Sequence, residues 1–238
     1  SPALRADTRR LLARFPHARH VFNSTSVDAP FSVGKLRDRG TQEARGPLVL
    51  FHDLDFSAPP SFYRRLGRWT RRRDFYENKN AFACVPVAFL TKWGNRLYQA
   101  APHPFWWGAS KRRLPAWNKL VHRVVLGSSA ILAHRNRLLE LGGHSDSFVG
   151  HGAEDFELLH RLSLTYPNGE RPDDYEVDYG SRQAHKGFRG YFGRYAKPLT
   201  QESLMLMHQW HPPRTADSRY YAYREENFRL LRERLRQN

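Results

Sequence analysis

The stretch Leu48–Phe56 reads LVLFHDLDF. Four apolar residues, Leu48-Val49-Leu50-Phe51, follow the breaker pair Gly46-Pro47 and run into two aspartates one residue apart, Asp53 and Asp55. A short run that is apolar on both faces reads as a buried strand of a parallel sheet. Such sheets bind ligands at the carboxyl ends of their strands. On an extended chain Asp53 and Asp55 would project to the same side. Two hard oxygen ligands at one point suit a divalent cation carrying a phosphate-bearing substrate. The bland alternative is a loop start, where aspartate serves as a cap or turn residue.

Outward from this strand, strand-like and helical runs alternate. Arg5–Phe15 has amphipathic helical spacing and is closed by Pro16, and His20–Phe22 reads as a short strand. Phe31–Ala44 is helical with an interruption at Gly40, Ser61–Arg73 is a basic helix, and Phe82–Phe89 is a strand region. His103–Lys119 mixes Trp106, Trp107 and Trp117 with Pro, Gly and four cations and reads as a loop. Val124–Leu132 is a strand with a small-residue bend, and Arg135–Leu141 is a helix closed by Gly142-Gly143. A Gly-rich turn then opens a helix at Glu154, and Tyr166–Gly190 is irregular. Leu204–Met207 is a last strand and Arg219–Arg236 a charged helix. This alternation predicts an α/β fold around a mainly parallel or mixed sheet, in one large domain of 238 residues.

Composition narrows the partners. The apolar fraction of 40% is enough for a core, which excludes a disordered chain. Of the 39 basic residues 32 are Arg, and the formal charge is +16, so the surface favours phosphates, acidic polymers or anionic membrane faces. The lone Cys84, inside an apolar run, reads as a small core residue, and the absence of any disulfide fits a reducing compartment. No apolar run approaches the length of a membrane span, and no signal peptide is visible. The chain opens Ser-Pro without Met, so an N-terminal truncation is expected.

Polar groups collect at three strand ends. Besides Asp53 and Asp55, His208 and His211 follow the last strand, where two imidazoles three apart can ligate one metal. Glu154 and Asp155 follow Gly150-His151-Gly152-Ala153 at a helix start. Carboxylates there sit well with the helix dipole, and capping alone also explains them. Together the three groups can hold a metal diphosphate, supply a general base for an acceptor hydroxyl, and offset charge on a leaving phosphate. Trp106 and Trp107 read either as an acceptor platform or as a packed patch. Lys186 and Arg189 are candidates for contact with a diphosphate or an acidic acceptor. Arg71-Arg72-Arg73 reads as a solvated helix end, or as a dock for an anionic membrane. A basic nucleic-acid-binding module would explain the charge and the aromatics, but not carboxylates gathered with histidines, and none of its signatures is evident.

These blocks resemble GT-A glycosyltransferases, in particular the beta-1,4-galactosyltransferase group and the related bacterial capsule and chondroitin-type polymerases. Phe31–Gly40 (FSVGKLRDRG) is similar to the family's nucleotide helix, LVLFHDLDF to its strand and D-x-D, and LGSSAILAHRNRLLELGGHSDSFVGHGAEDFELLHRL to its donor strand, Gly-Gly turn and acidic helix start. The resemblance implies a GT-A fold with a mixed, mainly parallel central sheet flanked by helices, here without the usual first strand. It implies one domain over 1–238: a nucleotide part at 1–56, a donor and acceptor part at 57–212, and a C-terminal helix at 213–238. It places Phe31, Lys35, Asp53, Gly127 and Gly152 at the nucleotide sugar, and His151, Trp106 and Trp107 at the acceptor. Asp55, His211, His208 and Asp53 would hold Mn²⁺ or Mg²⁺. Asp155 would be the base of an inverting transfer and Glu154 an acceptor or sugar contact. The implied donor is a UDP-sugar, Gal or GalNAc favoured, and the acceptor is a saccharide or lipid-linked saccharide. The implied setting is bacterial surface-polysaccharide assembly in the cytoplasm, with peripheral contact at the inner membrane face and no nucleic acid. A catalytically degenerate sugar-binding domain is the alternative. Three positions depart from the family pattern: His151 stands for a Trp, Val33 for an Arg and Ala153 for a Gly.

Overall fold

The computed structural model describes residues 2–21, 30–73, 75–100, 117–127, 129–180, 183–212 and 221–237. After helix α1 (Pro2–Ala13) come α2 (Val33–Glu43), β1 (Leu48–Leu50), β2 (Phe56–Ser57), α3 (Pro60–Arg72), β3 (Phe82–Cys84) and β4 (Val87–Leu90). Helices α4 (Lys92–Ala100) and α5 (Trp117–Leu120) lead to β5 (Val121–Val125) and β6 (Ile131–His134), followed by α6 (Arg135–Glu140) and α7 (Glu154–Thr165). The chain ends with α8 (Gly187–Gly193), a 3₁₀ turn (Arg194–Ala196), α9 (Lys197–Gln201), β7 (Leu206–His208) and α10 (Arg224–Arg236).

The strands form two short sheets, ordered β1-β6-β3 and β2-β7-β4-β5. This mixed α/β architecture, with sheets of mixed orientation between helices, is the expected fold class. The expectation of a mainly parallel sheet is corrected: β4 and β7 pair parallel, and the other described pairs are antiparallel. An apolar run reports burial and carries no information about strand direction. The run at Leu48–Leu50 pairs antiparallel with β6, and its three residues are half-buried.

Breaker residues account for other differences. Pro86 cannot donate a ladder hydrogen bond, and it separates β3 from β4, which enter different sheets. Likewise Val124–Leu132 is divided between β5, which ends at Val125, and β6, which starts at Ile131. By contrast α2 runs through Gly40, where a Cβ would meet nothing within 4 Å, and it is capped by Ser32 Oγ accepting from Lys35 N at 3.3 Å. His20 and Val21 are not in a strand, and Phe22 lies outside the described residues. The nominally irregular segment ends in α8, whose Gly187 has φ 55° and packs so closely on Val177 that a Cβ would stand 2.1 Å from its carbonyl oxygen.

Two cores result. One packs Phe62, Leu66 and Trp69 of α3 on Val87 and Ala88 of β4 and Leu206 and Met207 of β7. The other packs Leu158, Leu159 and Leu162 of α7 against Phe82, Ile131 and Ala133 of the first sheet and against Tyr191 and Phe192 of α8. Cys84 is fully buried there, as a core thiol should be. The carboxyl ends of β1 and β7 and the start of α7 all border one cleft, which is how the fold assembles a site from distant segments.

Candidate active site

The cleft has a volume of about 870 Å³. Asp53, Asp55, Gly127, His151, Gly152, Glu154, Asp155, His208 and His211 all border it. Asp53-Leu54-Asp55 is a turn closed by Phe56 N donating to Asp53 O at 3.0 Å, so the two aspartates face different partners.

Asp55 belongs to the histidine side. Phe56 pairs with His208 across β2 and β7, and Gln209 N donates to Asp55 O at 2.8 Å, which brings the two segments together. Asp55 Oδ2 stands 3.3 Å from His208 Nε2 and 3.4 Å from His211 Nε2. One ligand atom from each of the three residues lies within 4.8 Å of the others. The ring of His208 is stacked on Phe89 with centroids 4.3 Å apart. His211 Nδ1 lies 3.0 Å from Pro212 O, which leaves Nε2 as the ring nitrogen aimed at Asp55. The hydrogen bond to His208, with the charges of both imidazoles, holds the Asp55 carboxyl below its usual range. Asp55 Oδ1 is buried and has no hydrogen-bond partner among the described residues. A carboxylate with one oxygen unsatisfied and two imidazoles make a donor set that fits a divalent cation.

The acidic side is organised by Arg37 of α2. Its guanidinium reaches Asp53 Oδ1 at 2.8 Å, Asp155 Oδ1 at 2.5 Å and Glu154 Oε1 at 3.7 Å. Burial opposes its charge, but Asp155 and Asp53 outweigh burial and raise its pKa further. Asp53 Oδ2 also accepts from Ser129 Oγ at 2.9 Å. Behind Asp155 stands the buried His144. Its backbone N–H and Nδ1 bond Asp38, the latter at 2.7 Å, and its Nε2 faces Asp155 Oδ1 at 3.7 Å. Burial works against a charged His144, yet Asp155 and Asp38 prevail and raise its pKa to about 9.

The two helix-start carboxyls are thereby driven apart. Burial raises the pKa of Asp155, but Arg37 and His144 more than offset it and hold the group below its usual range. Glu154 has mostly burial and the charge of Asp155 acting on it, and it is pushed up to about 7. Its Oε2 accepts from Gly152 N at 2.7 Å. The turn that aims these groups carries strain: Ala153, the N-cap of α7, has φ 72°, a left-handed conformation costly to any residue with a Cβ.

The other expected residues divide. Gly152 is buried with φ 110°, and Gly127 is packed so that a Cβ would stand 2.9 Å from Phe192 Cβ. The ring of His151 is edge-on to Tyr221 at 6.0 Å. Arg189 borders the cleft and forms a two-pronged ion pair with Asp178, while Lys186 stays outside over the Tyr179 ring. Phe31 is exposed and Lys35 pairs with Asp146 at 3.2 Å; neither borders the cleft. Trp106 and Trp107 lie outside the described residues. Sequence reasoning missed Arg37, His144 and Asp38. A signal existed for Arg37: it stands one helical turn after Val33, the position where the resemblance expects an arginine.

Compared with known families, residues 6–236 match the one described as Glycosyltransferase like family 2. No curated protein and no solved structure matches the chain.

Proposed function

Because the chain belongs to the Glycosyltransferase like family 2, we propose that its cleft moves a hexose or N-acetylhexosamine, Gal or GalNAc favoured, from a UDP-sugar to a saccharide acceptor with inversion. The setting we propose is bacterial surface-polysaccharide synthesis. One observation carries the reading: a metal-ready trio, Asp55, His208 and His211, and a carboxyl pair of split acidity, Glu154 and Asp155, border the same cleft.

Asp55, His208 and His211 would hold the cation, which when bound neutralises charge on the diphosphate. Arg37 and Ser129 fix Asp53 at the edge of that site. As the acceptor oxygen bonds to the anomeric carbon, the bond from that carbon to the phosphate oxygen breaks and UDP leaves with the electron pair. The acceptor proton goes to the helix-start pair. The resemblance assigns it to Asp155. The electrostatics favour Glu154, since a base works best with a pKa near the working pH, and Asp155 is tied to Arg37. In this division Asp155 stays charged and orients the acceptor, while Glu154 takes the proton.

The test is UDP binding and UDP-sugar hydrolysis with and without Mn²⁺, for the native chain and Asp55→Ala. Metal-dependent UDP binding that disappears in the variant supports the reading. UDP binding without any turnover would make the domain a degenerate sugar-binding one. No UDP binding at any metal concentration refutes it. Between the two carboxyls, the base is the one whose amide variant loses roughly 10²–10⁴ in turnover and its pH dependence near neutrality.

A further inference from the structure

Helix α3 has the sequence PSFYRRLGRWTRR and contains no acidic residue. Its inner face is consumed by the core through Phe62, Leu66, Trp69 and Thr70. Arg64, Arg68 and Arg71, spaced four and three apart, form one exposed stripe on the outside. Two further arginines of this helix are committed to Glu202: Arg65 to its carbonyl oxygen and Arg72 to its carboxylate. The three stripe arginines have no carboxylate within 4 Å among the described residues. Like charges one turn apart repel, so this arrangement is unfavourable until something anionic covers it.

The stripe has shape as well as charge. With Ser61, Tyr63 and Gly67 it lines an open groove of about 650 Å³. Gly67 keeps the groove clear, since a Cβ there would meet nothing within 4 Å. Tyr63 is 47% exposed at the rim, and its hydroxyl is held 3.1 Å from His52 Nε2. An aromatic ring with a fixed polar end beside a row of cations is the composition of a side chain at a membrane–water boundary.

We infer that the arginine stripe of α3, with Tyr63, is a docking surface for an anionic lipid bilayer. Three guanidiniums in a straight row about 10 Å long match a plane of headgroups. A single-stranded nucleic acid would call for several stacking aromatics along the row, and α3 exposes one ring there. No helix among the described residues is long and apolar enough to cross a membrane, so this contact is peripheral. His52, the partner of Tyr63, directly precedes Asp53, so docking would set the aspartate end of the cleft beside the headgroups. The inference stands independently of the transfer reaction.

Sedimentation of the full chain with vesicles tests it, using phosphatidylcholine alone and phosphatidylcholine with phosphatidylglycerol. The variant is R64Q/R68Q/R71Q. The charge-matched control is R14Q/R232Q/R234Q, which is exposed elsewhere. At about fivefold per arginine, the stripe variant should lose about 100-fold in partitioning to the anionic vesicles, while the control loses several-fold at most. A thermal melt confirms that both variants fold. Equal losses in variant and control would overturn the inference, because net charge alone would then explain binding. So would an unchanged vesicle affinity accompanied by loss of single-stranded RNA binding, which would give the stripe to a nucleic acid.

Discussion

Replacing Glu154 by Gln removes a charge that the fold holds under strain. The side chain is 5% exposed, and burial together with Asp155 lifts its pKa from 4.5 to about 7. Between those two values the folded chain binds a proton that the unfolded chain has released. Stability therefore falls as pH rises from 4.5 through 7, in the sense opposite to an ordinary ion-paired carboxylate. The full penalty above pH 7 amounts to about 3 kcal/mol, with about 1 kcal/mol already present one unit above the unfolded value. Gln keeps the acceptor oxygen for Gly152 N–H and carries no charge. E154Q should thus exceed the native chain in stability by a margin that widens by about 2 kcal/mol between about pH 5.5 and pH 8, or roughly 4–8 °C in Tm. The assay is thermal or urea denaturation of both proteins across that range, with a chelator present so that no cation enters the cleft. In the background of D155N the gain should shrink, because the repelling charge is gone. Parallel stability profiles for native and E154Q would refute the reasoning. The same substitution should abolish transfer, so the residue illustrates a site kept at the expense of stability.

His144 acts on stability in the same sense, over a higher pH window. Its pKa, raised from 6.5 to about 9, means that its contribution is complete below pH 6.5 and lost as pH rises through 9. H144Q should therefore cost about 3 kcal/mol more at pH 6 than at pH 10, read from urea midpoints at the two pH values. Ala153→Gly relieves the left-handed N-cap of α7 and should add about 1 kcal/mol to stability in the same assay. Asp55→Asn should weaken Mn²⁺ binding on the order of 100-fold, measured by the electron paramagnetic resonance of the free ion, and leave the pH profile of E154Q against native unchanged.

Strand β1, the aspartates after it and the acidic start of α7 were legible because each is marked by neighbours in sequence: an apolar run after Gly-Pro, and carboxylates after a Gly-rich turn. His208 and His211 were legible for the same reason, at the end of a short apolar strand. Strand direction was not, since apolar runs at β1 and β6 look alike whichever way they pair. Arg37 was hidden between Lys35 and Arg39 of α2, and only the packing of α2 against the cleft turns it inward to three carboxylates. His144 follows Gly142-Gly143 without any motif to mark it, and its role depends on Asp38, which lies far from it in sequence.

The trio at the candidate metal site joins the early turn at Asp55 to the last strand of the chain. Strand β7 also lies parallel to β4, and a parallel partner so distant in sequence is slow to find. During synthesis every other described strand emerges before the two histidines do. A nascent chain, or one cut ahead of β7, would carry its aspartates and its acidic helix without His208 and His211, and so would lack two of the three candidate cation ligands. Formation of β7 is thus the step that completes the candidate metal site.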